Sequence, residues 1–183
     1  REEIAAKIAA KQGCIVVPSF EDFHIISGQG TAGLEVVEQG REQGVSFDAF
    51  YCPIGGGGLI SGCATAIKAI SPTTEIFGVE PEDFDDVKRS LKQGSRQSNL
   101  RQTGSLCDAL LTQTPGPMTF SIMQKHIREV LTVSDGEALL AVKYAWEKLK
   151  LVVEPGGAVG LAALLSGKAD VRGKTVCVLL SGG

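Results

Sequence analysis

Short runs rich in β-branched and apolar residues recur at Cys14–Pro18, Phe47–Ile54, Glu75–Val79, Val130–Val133 and Thr175–Leu180. Most of the segments between them carry apolar residues at helical period, so the chain predicts strands alternating with helices. That alternation implies an α/β fold: a parallel twisted sheet with helices on both faces. The runs around Tyr51 and Val178 are apolar at successive positions, as in strands covered on both faces, and are expected to be central. Helices are predicted over roughly Glu3–Gln12, Thr31–Gln43, Leu59–Ile70, Asp83–Lys92, Asp135–Lys148 and Ala158–Ser166. Ser134-Asp-Gly-Glu137 reads as a capping box, in which hydroxyl and carboxylate satisfy each other's backbone amides. The polar stretch Gln93–Thr103 has no apolar anchors and reads as a mobile surface loop or lid. No repeat and no linker interrupts the pattern, so one domain is expected.

Composition narrows the function. Of 183 residues 43% are hydrophobic, enough for a sizeable core. With 18 basic against 21 acidic residues, a net charge of -3 and a pI near 5.5, no electrostatic footprint for nucleic acid or an anionic membrane is present. No apolar run approaches the roughly 20 residues a bilayer crossing requires, and REEIAAKIAAKQG has the charge of a surface helix, so a cytoplasmic location is expected. Cys14, Cys52, Cys63, Cys107 and Cys177 form no C-x-x-C pair and read as small apolar residues. Only His24 and His126 are available, which removes histidine clusters from consideration.

Glycine is the informative excess, with 23 residues gathered at turns. In Tyr51-Cys-Pro-Ile-Gly-Gly-Gly-Gly-Leu59, the glycines Gly55–Gly58 separate a strand from a helix. Residues without side chains let successive amides point into one concavity above the positive end of a helix dipole, which suits a phosphate. A side chain at Gly56 or Gly57 is expected to fill the anion's volume. The run contains no G-x-G-x-x-G, and Gly62 is followed by Cys63 and Ala64 where a P-loop needs Lys and Ser/Thr. Ser27-Gly-Gln-Gly-Thr31 and Glu154-Pro-Gly-Gly-Ala158 read as two further turns opening helices, and the chain ends on Ser181-Gly182-Gly183. In an open parallel sheet ligands gather at the carboxyl ends of strands, so Gly55–Gly58 and Ser181 could share a pocket.

Taken in order, VVPSFEDFHIISGQGTAGLEVVEQ, the GGGGL turn, GVEPEDFDD, WEKLKLVVEPGGAVGLAAL and VCVLLSGG resemble the serine/threonine dehydratase and serine racemase family over nearly the whole chain. The resemblance implies the tryptophan-synthase-β fold type, dependence on pyridoxal 5'-phosphate and a homodimeric enzyme acting on a small amino acid. It further implies that Gly55, Gly56, Gly57, Gly58 and Leu59 hold the cofactor phosphate, that Ser181 and Gly182 bind the cofactor with Ser181 meeting the pyridine nitrogen, and that Ser181 and Glu154, which lies near the cofactor, are the catalytic residues of this chain. Glu80, Asp86 and the carbonyl of Phe84 match a divalent-cation site of part of the family, suited to Mg²⁺ or Ca²⁺; acids of a first helical turn are the other reading of the same residues.

The chain departs from the family where the chemistry is concentrated. No S-x-K-x-R-like lysine segment and no S-x-G-N-H-A-like carboxylate loop is present, and Lys68, Lys125 and Lys150 lie in helical stretches without that context. Cys107-Asp108-Ala109 stands where dehydratases often read A-D-G, and Gly156-Gly157 follows Glu154-Pro155 in place of [ST]-[AG]. Residues 1–18 therefore read as a remnant of the small domain and 19–183 as an incomplete large, cofactor-binding domain, inactive alone. The expected activity is that of a lyase turning a threonine- or serine-type β-hydroxy amino acid into a 2-oxo acid and ammonia. A serine- or aspartate-type racemase and a non-catalytic phosphate-ligand module are the alternatives.

Overall fold

The computed structural model describes residues 2–183. Four parallel strands, β1 (Ala49–Pro53), β2 (Glu75–Pro81), β3 (Ile127–Val133) and β4 (Val176–Val178), form one sheet in the order β3-β2-β1-β4. Around it lie α1 (Glu2–Gln12), α2 (Phe23–Glu42), α3 (Gly58–Ile70), α4 (Asp86–Gln93), α5 (Pro117–His126), α6 (Asp135–Tyr144) and α7 (Val159–Leu165). Alternate residues of β1 feed two cores. Ala49 and Tyr51 join Phe77, Val79, Val133 and alanines of α6 and α7. Phe50 and Cys52 join Val37 of α2, Ile60, Cys63 and Ile67 of α3, and Met123 of α5. Helices thus cover both faces, as the alternation of elements requires.

Several expectations are corrected. β4 borders only β1 and is an edge strand among the described residues, although Val176 and Val178 pack into one core and Cys177 into the other. Apolar residues at successive positions report that both faces are covered; they carry no information about lateral neighbours. Cys14–Pro18 is exposed chain, with Ile15 91% and Val17 70% accessible, because no described strand offers it a ladder. Ser27–Thr31 does not open a helix but lies inside α2, which starts at Phe23 behind Asp22; the Asp22 carboxylate accepts from the amides of His24 and Ile25 at 2.8 and 3.1 Å. Gly30, and Gly33 one turn on, serve a helix crossing: a Cβ on Gly30 would come within 3.0 Å of Gly62 O, and one on Gly33 within 2.7 Å of Cys63 Cα, whereas one on Gly28 would meet open space.

α5 is not among the helices expected from the sequence; Pro117 occupies its first turn, where a missing amide costs nothing. α6 ends at Tyr144 and passes into a wider turn over Ala145–Leu149, closed by Lys150 at φ 61°. Gln93–Thr103 is fastened by polar contacts rather than forming a free lid. Gln97 N donates to Ser90 Oγ (2.8 Å), Asn99 N to Gln113 O (2.8 Å), and Arg89 Nη2 to the buried Asn99 Oδ1 (2.9 Å). The Ser134 capping box forms as expected, with Ser134 N donating to Glu137 Oε2 at 2.7 Å.

Candidate active site at the carboxyl ends of the strands

β1 and β4 run side by side, and Leu179 N donates to Tyr51 O (2.9 Å), so their following segments leave the same edge of the sheet together. After β1, the turn Gly55–Gly58 delivers the chain into α3. Gly57 has φ 89°, the left-handed region that favours glycine, and no side chain caps the helix. The first amides of α3 have no carbonyl one turn behind them, so they are donors awaiting an acceptor at the positive end of the helix. An anion with several oxygens matches that set of donors.

Four separate stretches meet here. A Cβ on Gly55 would come within 3.3 Å of Ala109 O, and one on Gly156 within 3.3 Å of Leu110 Cγ, so Ala109-Leu110 lies between the two glycine segments. A Cβ on Gly157 would come within 2.7 Å of Gly182 O, and Glu154 N donates to that carbonyl at 3.0 Å. Gly182 in turn lies against Glu154, whose Oε1 a Cβ there would approach within 2.7 Å. The structure therefore brings Glu154, Gly182 and the exposed Ser181 to the same end of the sheet as Gly55–Gly58 and Leu59. Gly56 needs correction in its reason for being glycine. A Cβ there would run into the ring of Phe20, and one on Gly57 into Met123 Cε at 2.7 Å, so side chains are excluded from behind the turn by the protein itself. Phe20 and Leu110 went unassigned in the sequence; Phe20 was within reach, since it lies in the quoted VVPSFEDF segment.

One strand over, β2 carries Glu80 and Asp86 follows at the start of α4, both 1% exposed, with Phe84 equally buried between them. Glu80 accepts from the amides of Val87 (3.0 Å) and Lys88 (2.9 Å), capping α4 from outside it. Asp86 Oδ1 accepts from Asn99 Nδ2 at 2.7 Å, while its Oδ2 is buried without a partner. Burial pushes Glu80 well above the usual carboxylate range, reinforced by the neighbouring Asp86, against the pull of the two amides. Burial likewise lifts Asp86 to about 7, with the Asn99 bond opposing it. Among the described residues no three His, Cys, Asp or Glu side chains assemble into a metal-ligand set. The lysines set aside in the sequence lie away from the glycine turn: Lys68 in the last turn of α3 donates to Pro72 O, Lys125 sits in the last turn of α5, and Lys150 donates to Glu147 O.

An open parallel sheet with an uncapped glycine turn at a helix start defines a class of protein built to hold a phosphate-bearing cofactor. The chain matches the family described as pyridoxal-phosphate dependent enzyme over residues 1–182, and it belongs to that family. It is 38% identical over 183 residues to L-threo-3-hydroxyaspartate ammonia-lyase of Saccharomyces cerevisiae and 36% identical over 183 residues to serine racemase of Schizosaccharomyces pombe. In both cases the match takes in 100% of this chain and 55% of the relative, so the chain spans about half the length of these curated proteins. The crystal structure of a T.th. threonine deaminase superimposes with a TM-score of 0.93 at 41% identity, over 99% of this chain and 64% of that one. No described helix is long and apolar enough to cross a membrane.

Proposed function

We propose that this chain is part of a pyridoxal-phosphate-dependent lyase that dehydrates and deaminates a threonine- or serine-type amino acid to a 2-oxo acid and ammonia. The observation that carries the reading is the convergence of an uncapped glycine turn and Ser181 at the ends of adjacent strands, in a chain whose relatives include ammonia-lyases. Bound pyridoxal phosphate supplies an electron sink for the charge left at the substrate Cα. The amides of the Gly55–Leu59 turn receive its phosphate. Ser181 offers a hydroxyl to the ring nitrogen; being neutral, it hydrogen-bonds that atom without holding a proton on it as an acid would. A weaker sink favours early loss of a β-hydroxyl over transamination. Glu154 is better suited to position than to react: its main chain and carboxylate brace Gly182, fixing the direction in which Ser181 leaves β4.

In this reading residues 19–183 belong to the cofactor-binding domain and 1–18 to the small domain of a cytoplasmic homodimer. The exposed Ile15 and Val17 support a boundary near Pro18. The 183-residue chain, lacking the lysine segment, binds pyridoxal phosphate non-covalently and yields no 2-oxo acid. Borohydride reduction followed by peptide mapping tests this: a stoichiometric pyridoxyl adduct on Lys68 or another lysine, accompanied by 2-oxo acid from threonine or serine, would overturn it. A protein extending this chain with the S-x-K-x-R segment is expected to release 2-oxo acid, whereas formation of the opposite enantiomer without 2-oxo acid would identify the racemase instead.

A hard cation, Mg²⁺ or Ca²⁺, at the acidic pocket is a second reading, supported by the buried and partnerless Asp86 Oδ2. Glu80, Asp86 and the Phe84 carbonyl would hold it with waters, giving a structural or activating site.

A further inference from the structure

Behind the glycine turn stands Thr119, fully buried in the first turn of α5 and held at every polar atom. Its hydroxyl donates to Gly56 O at 2.8 Å, and less closely to Gly116 O at 3.3 Å. Its amide donates to Glu21 Oε2 at 3.2 Å, and its carbonyl accepts from Ser61 Oγ at 3.3 Å. Glu21 also accepts from Met118 N at 2.6 Å, so this carboxylate caps α5, whose own N-cap is Gly116.

The geometry of the peptide unit gives this contact a direction. A trans peptide is planar, with its C=O and N–H pointing oppositely, and no cis bond occurs among the described residues. Holding Gly56 O against Thr119 therefore turns the N–H of Gly57 away from α5. The next unit is fixed in the same manner, since Gly57 O accepts from Ser61 N at 3.0 Å, which turns the N–H of Gly58 away from the body of α3. With Gly57 at φ 89° between these two units, the paired amides form the concavity that binds anions. A purely structural Thr119 would need only to satisfy a buried carbonyl.

We infer that Thr119 is a positioning residue for phosphate binding, its hydroxyl holding the Gly56 carbonyl so that the Gly57 amide is aimed at the anion. The inference rests on the phosphate reading of the glycine turn and adds to it a residue on a different helix. Its signature is selectivity: loss of the hydroxyl should weaken ligands that carry the phosphate and spare those that do not.

The test is equilibrium titration of the protein with pyridoxal 5'-phosphate and with pyridoxal. Thr119→Val should weaken the phosphorylated ligand roughly tenfold, the value of one charge-assisted hydrogen bond, and leave pyridoxal unchanged. Thr119→Ser, which keeps the hydroxyl, should retain the wild-type ratio. If the wild type discriminates but Thr119→Val keeps the same ratio, Thr119 has no positioning role and the phosphate cradle stands. If the wild type itself binds both ligands equally, the cradle reading falls and this inference with it. Should Thr119→Val fail to fold, Glu21→Ala decides, because it loosens the start of α5 without touching the turn: a phosphate-selective loss supports the inference, and an unchanged ratio overturns it.

Discussion

β1 and β2 are neighbours in register, and each ends by turning into a helix, yet the two helix starts are finished in opposite ways. At α4 the protein supplies its own acceptors: both oxygens of the Glu80 carboxyl are taken up by the amides of Val87 and Lys88. α2 and α5 are treated similarly, by Asp22 and Glu21, and α6 by Ser134 with Glu137. At α3 no side chain arrives, and four glycines keep the approach clear. Among α2–α7, α3 and α7 start without a side-chain cap, and of the two only α3 follows a run of four glycines, which supports the proposed phosphate turn.

The largest expected effect comes from erasing the contrast. Gly56→Asp puts an acid at the start of α3 and drives its Cβ into the Phe20 ring, so the turn must deform as it is filled. In the full-length enzyme carrying the lysine segment, cofactor retention should be lost altogether, read by absorbance and by cofactor content after gel filtration. Undiminished pyridoxal phosphate content in a folded variant would contradict the assignment of the glycine turn.

Next in size is the reverse change, emptying α4. Glu80→Ala removes the acceptor of two amides at the start of α4, one buried and one partly buried, and leaves a void, a loss of about 2–4 kcal/mol and a fall in melting temperature of roughly 5–15 °C. The same pocket separates capping from cation binding. If Asp86 and Glu80 hold Mg²⁺, the ion should raise the wild-type melting temperature, and Asp86→Asn should abolish the rise; an identical rise in both proteins would leave α4 capping as the pocket's only role.

The contrast itself was half legible in the sequence. An open backbone turn shows directly, because its signal is a run of missing side chains, and Gly55–Gly58 is legible as an uncapped strand-to-helix turn without knowledge of the neighbours. Acids that cap from a distance do not show: Glu21 serves a helix 96 or more positions away in the chain, at Pro117 and beyond. Thr119 and Leu110 were invisible for the same reason, since their importance lies in contacts with Gly56, Gly55 and Gly156 that only the tertiary structure creates. The strands were legible as covered surfaces, although the position of β4 at the edge was not. Gly30 misled because glycine marks both turns and close helix crossings, and choosing between them requires seeing α3 against α2.

The smallest expected effect belongs to α6, where the finishing acid is on the surface and can be titrated. Burial alone would raise the Glu137 carboxyl, but the Lys168 ammonium at 2.7 Å and the Ser134 amide and hydroxyl outweigh it and hold it below its ordinary value. A depressed carboxyl contributes stability above its unfolded pKa, near 4.3, and loses it as pH falls through the lower folded value. Ser134→Ala should cost about 1 kcal/mol near neutrality. The Lys168 contact is partly solvated, which keeps the ion pair itself within roughly 0.2–1 kcal/mol. Chemical denaturation of wild type and Glu137→Gln should therefore show a small gap that is constant at neutral pH and closes on acidification below about 4. A gap that instead widened in acid would mean that Glu137 is held above its ordinary value, its contacts favouring the protonated carboxyl.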